Sequence, residues 1–444
     1  MRVFIDLTSI HPLADILSDM TGGINLFTKL KRSQYKVAKR IPVIFLSLFG
    51  LWAVKRFIYE GLFLSSKRSF NGDFTASMFT FRDTPGVGVL YGPVFSLEQA
   101  LTRRYSELVD TNFYAALNIF LLVAIIIFCL SSIRANKFAS LFVVVLILAF
   151  NPTTYAVSVA ANPEFIELTL LCCCWYSISR KNFVLPWILI PTAILTKVIP
   201  LIFLPILVTK IRIQRIMLSV LVSSGIVMAT VANAQIPLLQ VIKSFINPNL
   251  PTGINISTPA SELVINPPLS YQVLGLSSAL CRVDDSQILA NCTDQNFAKI
   301  SILVFILHYL AFIVFFWTHI RKLELQPSQI QVHSIFAILF AMMPLATPNA
   351  HPHTFIFLLP CIAAIYSIVQ SQKKHKSFLT VVFLILYIII GAGYLLSPLQ
   401  RVSSINFMNI WIFKEPIIAN LILVEILIAL LFFNIKESIR SFHD

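Results

Sequence analysis

Asp73 is the residue of this chain most suited to act as a base. It stands in Phe70-Asn71-Gly72-Asp73-Phe74, between two long apolar segments, and is therefore expected just outside a bilayer. A carboxylate held there can accept the proton of a hydroxyl as that hydroxyl attacks carbon, if it lies within hydrogen-bond reach. A solvated loop aspartate or a helix cap is the plainer account of the same residue. A second stretch, Leu90-Tyr91-Gly92-Pro93-Val94-Phe95, follows it. Tyr91 and Phe95 either line a cleft for an acceptor or anchor the loop at the interface. The cations that could serve such a site are Arg82, Arg103, Lys197, His351 and His353. Lys197 lies in an apolar run, and an ionisable group there usually has a partner or a function. Pairing with Glu164 or Glu167, or snorkelling, is the alternative to a functional role. Glu164 and Glu167 are three residues apart at a helix start, after Asn162, where they either favour the helix N-terminus or line a cavity. His351-Pro352-His353 has no acidic companion at ligand spacing, so no metal is expected. His308, His319 and His333 read as structural or interfacial, and Glu425 stands isolated in the last apolar run.

What must position these residues is a membrane scaffold. The chain of 444 residues is 57% hydrophobic and only 12% charged, and its mean hydropathy is +0.81. A soluble domain has about a quarter of its residues charged. Runs of ~20 apolar residues recur, as bilayer-spanning helices require, whereas a barrel would show short alternating segments. The fold class is all-α: a polytopic membrane protein of about twelve transmembrane helices, some short or broken. The net charge of +14 falls in clusters between apolar runs. It therefore reads as orientation by the positive-inside rule, with membrane lipids as partners and no nucleic acid.

Along the chain, residues 1–40 are expected to form a basic cytoplasmic tail, since no apolar core follows the basic start. Residues 41–444 form one integral membrane domain. The first span, Ile41 to about Phe63, carries Lys55 and Arg56, which are expected to snorkel to the interface. A first outer loop over 64–112 holds Asp73. Phe95, Leu97, Leu101, Tyr105 and Leu108 recur within it at helical spacing, as in an amphipathic helix lying in the membrane surface. Asn151-Pro152 breaks the third span, and Lys197-Val198-Ile199-Pro200 breaks the segment from Phe183 to Val208 into two short helices. Broken helices at membrane depth are tolerated where they line a cavity. A large outer loop covers 237–299 and holds Cys281 and Cys292; a disulfide between them and two free thiols are both open. Cys129, Cys172, Cys173, Cys174 and Cys361 sit in apolar runs as small hydrophobes. The basic clusters place both termini in the cytoplasm and the motifs around Asp73, Asn162 and His351 on the extracytoplasmic face. A plasma or inner membrane is the expected host.

Taken in order, Gly72-Asp73-Phe74, Leu90 to Phe95, Asn162-Pro163-Glu164, Lys197 with Pro200, and Thr347-Pro348 leading to His351 and His353 resemble the GT-C membrane glycosyltransferases. The nearest likeness is to glycosyltransferase family 87, with the GPI mannosyltransferase I type more distant, and it covers roughly Ile41 to Gln370. The resemblance implies an inverting hexosyltransferase. It would move a sugar, expected to be mannose, from a polyprenyl-phosphate donor to a hydroxyl on a glycolipid or glycan acceptor, with no cofactor. Asp73 would match the catalytic aspartate of the first outer loop. Charge would develop on a departing lipid phosphate, where preorganised cations act most strongly. Lys197, His351, His353, Arg82 and Arg103 are the candidates for donor phosphate or sugar contact. Tyr91, Phe95, Asn162 and Glu164 are candidates for lining the acceptor cavity. The family has tyrosine and two prolines where this chain has Tyr91-Gly92-Pro93, which loosens the match near the acceptor.

The alternative is a multi-spanning transporter or a lipid-linked-sugar flippase, which would also use broken helices and intramembrane charges. Such proteins usually carry internal symmetry and a midplane site. Here the polar motifs gather on one face.

Overall fold

The computed structural model describes residues 46–59, 93, 111–158, 163–197, 199–208, 211–234, 238–239, 295–320, 329–346, 352–372, 376–395 and 416–440. Among the described residues all regular structure is helical and there is no strand. In chain order the helices are α1 (46–59), α2 (Thr111–Ile133), α3 (Lys137–Ala149), α4 (Asn151–Ser158), α5 (Pro163–Ser179), α6 (Pro186–Thr196), α7 (Leu204–Val208), α8 (Ile213–Ala234), α9 (Gln295–Ile320), α10 (Gln329–Ala346), α11 (Leu358–Ser371), α12 (Lys376–Leu395) and α13 (Pro416–Arg440). Short 3-10 turns precede α7 at Ile199–Phe203 and α11 at Pro352–Phe357.

Among the described residues three helices are long and apolar enough to cross a membrane. Their windows are Ala116–Ile133 in α2, Ile213–Asn233 in α8 and Gln329–Ala346 in α10, with mean hydropathies of 2.7, 1.9 and 1.5. Eighteen helical residues rise about 27 Å, close to the ~30 Å hydrocarbon thickness. The first outer loop with its surface helix, the 237–299 loop and the N-terminal tail lie outside the described residues.

Helix α10 is the centre of the bundle. Every residue from Gln331 to Leu345 is buried, as suits a helix that is apolar all round. It packs against α11, α13 and α5. Phe336 and Phe340 meet Trp175 of α5 and Phe203 of the 3-10 turn, with Phe203 and Phe340 rings 5.3 Å apart at 63°. Offset and edge-to-face rings of this kind add to the energy of burial alone. His333 also belongs here: its Nδ1 accepts a hydrogen bond from Trp175 Nε1 at 3.3 Å, which gives it the structural role its position in an apolar run suggests.

Polar side chains tie neighbouring helices together. Tyr387 of α12 donates to Leu146 O of α3 at 2.7 Å, Asn420 of α13 to Ala341 O of α10 at 2.8 Å, and Tyr309 of α9 to Ile202 O at 3.2 Å. With no water in a bilayer core, polar groups must find such internal partners. The five cysteines of the apolar runs are free thiols, and all but the half-buried Cys173 are buried. The thiols of Cys129 and Cys172 lie 4.0 Å apart.

Helix ends follow local chemistry. Arg134 after α2 and Lys181 after α5 have φ of 50° and 62°, the left-handed conformation that closes helices. Lys181 N donates to Ile178 O and Asn182 N to Ser177 O, both at 2.9 Å. Cations there also complement the negative helix end, so these basic residues serve the helix ends. At the start of α3, Asn136 Oδ1 accepts from Ala139 N at 2.9 Å, an N-cap.

Two expectations need correction. Arg56 does not snorkel outward: it is 9% exposed, within the bundle, and its guanidinium lies 5.7 Å from the centre of the Trp52 ring. A cation over an aromatic face recovers part of the cost of burial. Glu425 is not isolated: its carboxylate meets the imidazole Nε2 of His308 of α9, whose Nδ1 lies 2.7 Å from Val304 O.

Phe340 is fully buried among three aromatic rings. Phe340→Ala is expected to destabilise the bundle by about 3–5 kcal/mol, with Phe340→Leu losing much less. Equilibrium unfolding in detergent micelles measures both.

Candidate functional site

The sequence around residue 197 cannot continue a helix. Pro200 lacks an N–H, and its ring collides with the carbonyl four residues earlier, on Thr196. Helix α6 accordingly ends at Thr196. Lys197 follows in extended conformation (φ −155°, ψ 148°), its backbone N–H still bonded to Ala193 O at 3.1 Å. The 3-10 turn Ile199–Phe203 then leads into α7. This is the break expected between two short helices. Thr192 and Thr196 turn their hydroxyls back onto Ile188 O and Thr192 O at 2.7 and 3.0 Å, so they demand no outside partner.

Freed from the helix, the Lys197 side chain reaches α5. Its ammonium lies 2.7 Å from Glu164 Oε1, with the two side chains 17% and 3% exposed. Glu164 is in the first turn of α5, directly after Pro163. A carboxylate there gains from the helix N-terminus as well as from the ammonium. Thirty-three residues of chain separate the pair, and packing of α5 on α6 brings them together. Pairing with Glu164, one of the alternatives for Lys197, is thus present.

Glu167 is the unusual member. It lies one turn further along the face of α5 that carries Glu164, is 0% exposed, and neither carboxylate oxygen has a hydrogen-bond partner. It lies within Coulombic range of both Lys197 and Glu164. The 3-10 turn Pro352–Phe357 packs on α4, α10 and the α5 helix. His353 lies in this turn.

A similar break separates α3 from α4. The N–H of Phe150 reaches Leu146 O and Ile147 O, and Thr153 Oγ1 caps Ile147 O at 2.8 Å. Pro152 is the local cause, as Asn151-Pro152 suggests. Of the stretch Leu90 to Phe95, Pro93 is described: its carbonyl accepts from Thr230 Oγ1 of α8 at 2.8 Å.

Of the candidate residues, Glu164 and Lys197 come together, and His353 is placed by its backbone. Asp73, Arg82, Tyr91, Phe95, Arg103, Asn162 and His351 lie outside the described residues, as do Cys281 and Cys292. Among the described residues no group of three His, Cys, Asp or Glu side chains could hold a metal ion. Sequence reasoning missed the His308–Glu425 pair. Its signal was two ionisable residues, each alone in an apolar run, which membrane energetics requires to find partners. No family model, curated protein or solved structure matches the chain.

Removing one member of a buried ion pair strands the other. Lys197→Met is expected to cost about 3 kcal/mol, and the double variant Glu164→Gln/Lys197→Met to recover most of it. A double-mutant cycle of detergent unfolding measures the coupling.

Proposed function

We propose that this protein is a GT-C-type membrane glycosyltransferase of about twelve spans. It transfers a sugar, mannose in the first instance, from a polyprenyl-phosphate donor to a glycolipid or glycan hydroxyl on the extracytoplasmic face, with inversion. Both termini are cytoplasmic. The observation that carries this reading is the paired Lys197 in a helix break beside Glu164. It stands where the order of motifs calls for a cation near a lipid-borne phosphate. Non-helical backbone at membrane depth is tolerated where it is buried in protein or lines a water-filled cavity.

In this mechanism Asp73 accepts the acceptor's hydroxyl proton as the oxygen attacks the anomeric carbon in line. The glycosidic bond to phosphate breaks, and the lipid phosphate leaves with the bonding pair. Lys197, with His351, His353, Arg82 and Arg103, offsets the charge gathering on that phosphate. Tyr91, Phe95, Asn162 and Glu164 shape the acceptor cavity. The same broken helix with an intramembrane charge pair would also serve a transporter or flippase, so the decisive measurement is group transfer.

Purified protein in nanodiscs, given polyprenyl-phosphate mannose and crude membrane lipids, is expected to transfer the sugar. Asp73→Asn, still folded, is expected to lose at least about a hundredfold in rate. Unchanged transfer by Asp73→Asn would remove Asp73 as the base. No transfer from any lipid-linked sugar would favour the transporter.

A further inference from the structure

The end of the bundle at which α2 and α5 stop gathers cations. Contacts between helices fix the height of its parts. Phe128 and Tyr176, each near the C-terminus of its helix, have ring centres 5.9 Å apart, so Arg134 and Arg180 follow at the same level. Trp175 meets His333 near the start of α10. Gln329, with its amide oxygen turned to the guanidinium, accepts from Arg134 Nη2 and Nε at 2.9 and 3.1 Å. Phe142 and Tyr366, with ring centres 5.8 Å apart, bring the start of α3 level with the end of α11. Lys376, at the start of α12, donates to Gln370 Oε1. Arg134, Lys137, Arg180, Lys181 and Lys376 therefore share one end of the molecule.

Among the described side chains none at this end is a carboxylate. Glu164 and Glu167 lie near the start of α5, at its far end, and Glu425 lies midway along α13. Arg134, Lys137, Arg180 and Lys181 are exposed, and Lys376 is half-buried. The Arg180 guanidinium lies 5.5 Å from the centre of the Tyr176 ring, which steadies it without cancelling its charge. Large apolar side chains stand exposed beside these cations. Phe138 follows Lys137, Val184 and Leu185 follow Lys181 in the turn from α5 to α6, and Phe378 follows Lys376 in the first turn of α12. The pairing thus recurs at three connections between helices. A soluble polyanion would match the cations and leave the apolar side chains in water. A lipid with an anionic headgroup matches both.

We infer that this end of the bundle is a docking surface for anionic phospholipids. Headgroup phosphates pair with Arg134, Lys137, Arg180, Lys181 and Lys376, while Phe138, Val184, Leu185 and Phe378 enter the acyl chains beside them. The long stems of the lysines and arginines suit this division, with apolar length in the lipid and charge at its surface. The inference is independent of the transferase reading and holds equally for a transporter.

The test is electron spin resonance of the full chain in phosphatidylcholine vesicles containing a trace of chain-spin-labelled phosphatidylglycerol or phosphatidylcholine. The fraction of label immobilised at the protein surface gives the relative affinity. Phosphatidylglycerol is expected to be favoured about fivefold or more, the contribution of one Lys or Arg at an anionic surface. Lys137→Gln, Arg180→Gln, Lys181→Gln and Lys376→Gln are each expected to lower that ratio, and the quadruple variant to hold both lipids alike. Lys137→Arg is expected to keep the preference. Inorganic phosphate replacing chloride at fixed ionic strength is expected to leave the ratio unchanged. Equal affinity of the wild type for the two lipids, or a preference that survives in the quadruple variant, overturns the inference. Displacement by phosphate also overturns it, because the surface would then be a site for free anions. The single variants decide the matter if the quadruple variant does not fold.

Discussion

The bundle depends on the complete burial of one helix. From Gln331 to Leu345, α10 presents no face to its surroundings, so each neighbour must be shaped to it. Trp175, Phe203, Phe336 and Phe340 interlock on one side. Asn420 reaches the Ala341 carbonyl on another. In a bilayer, apolar area between helices offers little net gain, because lipid tails are as apolar as leucine. Close packing and interhelical hydrogen bonds then carry the association. That is why Asn420, Tyr387 and Tyr309 recur as donors to carbonyls of other helices. By contrast α8 and α9 expose many of their aliphatic side chains, among them Leu221, Met217, Leu303 and Leu307, as lipid-facing helices would.

Around that centre the charged side chains of the described helices follow one pattern: a charge away from water stands where another group answers it. Glu164 answers Lys197, and Trp52 lies under Arg56. Glu167 stands outside the pattern, since its two oxygens have no hydrogen-bond donor. A buried orphan of this kind is expensive, and it lies one turn along α5 from Glu164, the partner of Lys197.

Two proline-directed breaks shape the polar side of the molecule. Pro152 separates α3 from α4, and Pro200 ends α6 at Thr196. At the first, Thr153 Oγ1 caps Ile147 O; at the second, the Lys197 N–H makes the closing bond of α6, to Ala193 O. The turn Pro352–Phe357 packs against α4 and α5, so separate polar stretches of the chain approach one another.

Much of this was legible in the sequence. Apolar runs of bilayer length determine helices whatever their neighbours, because the backbone has no other way to satisfy itself in lipid. Pro152 and Pro200 determine where helices stop, because their rings act within four residues. Lys197 could be flagged from its apolar flanks alone, with Glu164 and Glu167 among its possible partners. Tertiary structure alone decided between them: Lys197 took Glu164 and left Glu167 without a hydrogen bond, because α5 docks on α6 at a height no local rule contains. The same holds for His308 with Glu425, 117 residues apart, and for Arg56, turned inward beside Trp52 rather than out to the interface. Local sequence sets which residues need a partner. The relative heights and rotations of packed helices set which partner they meet.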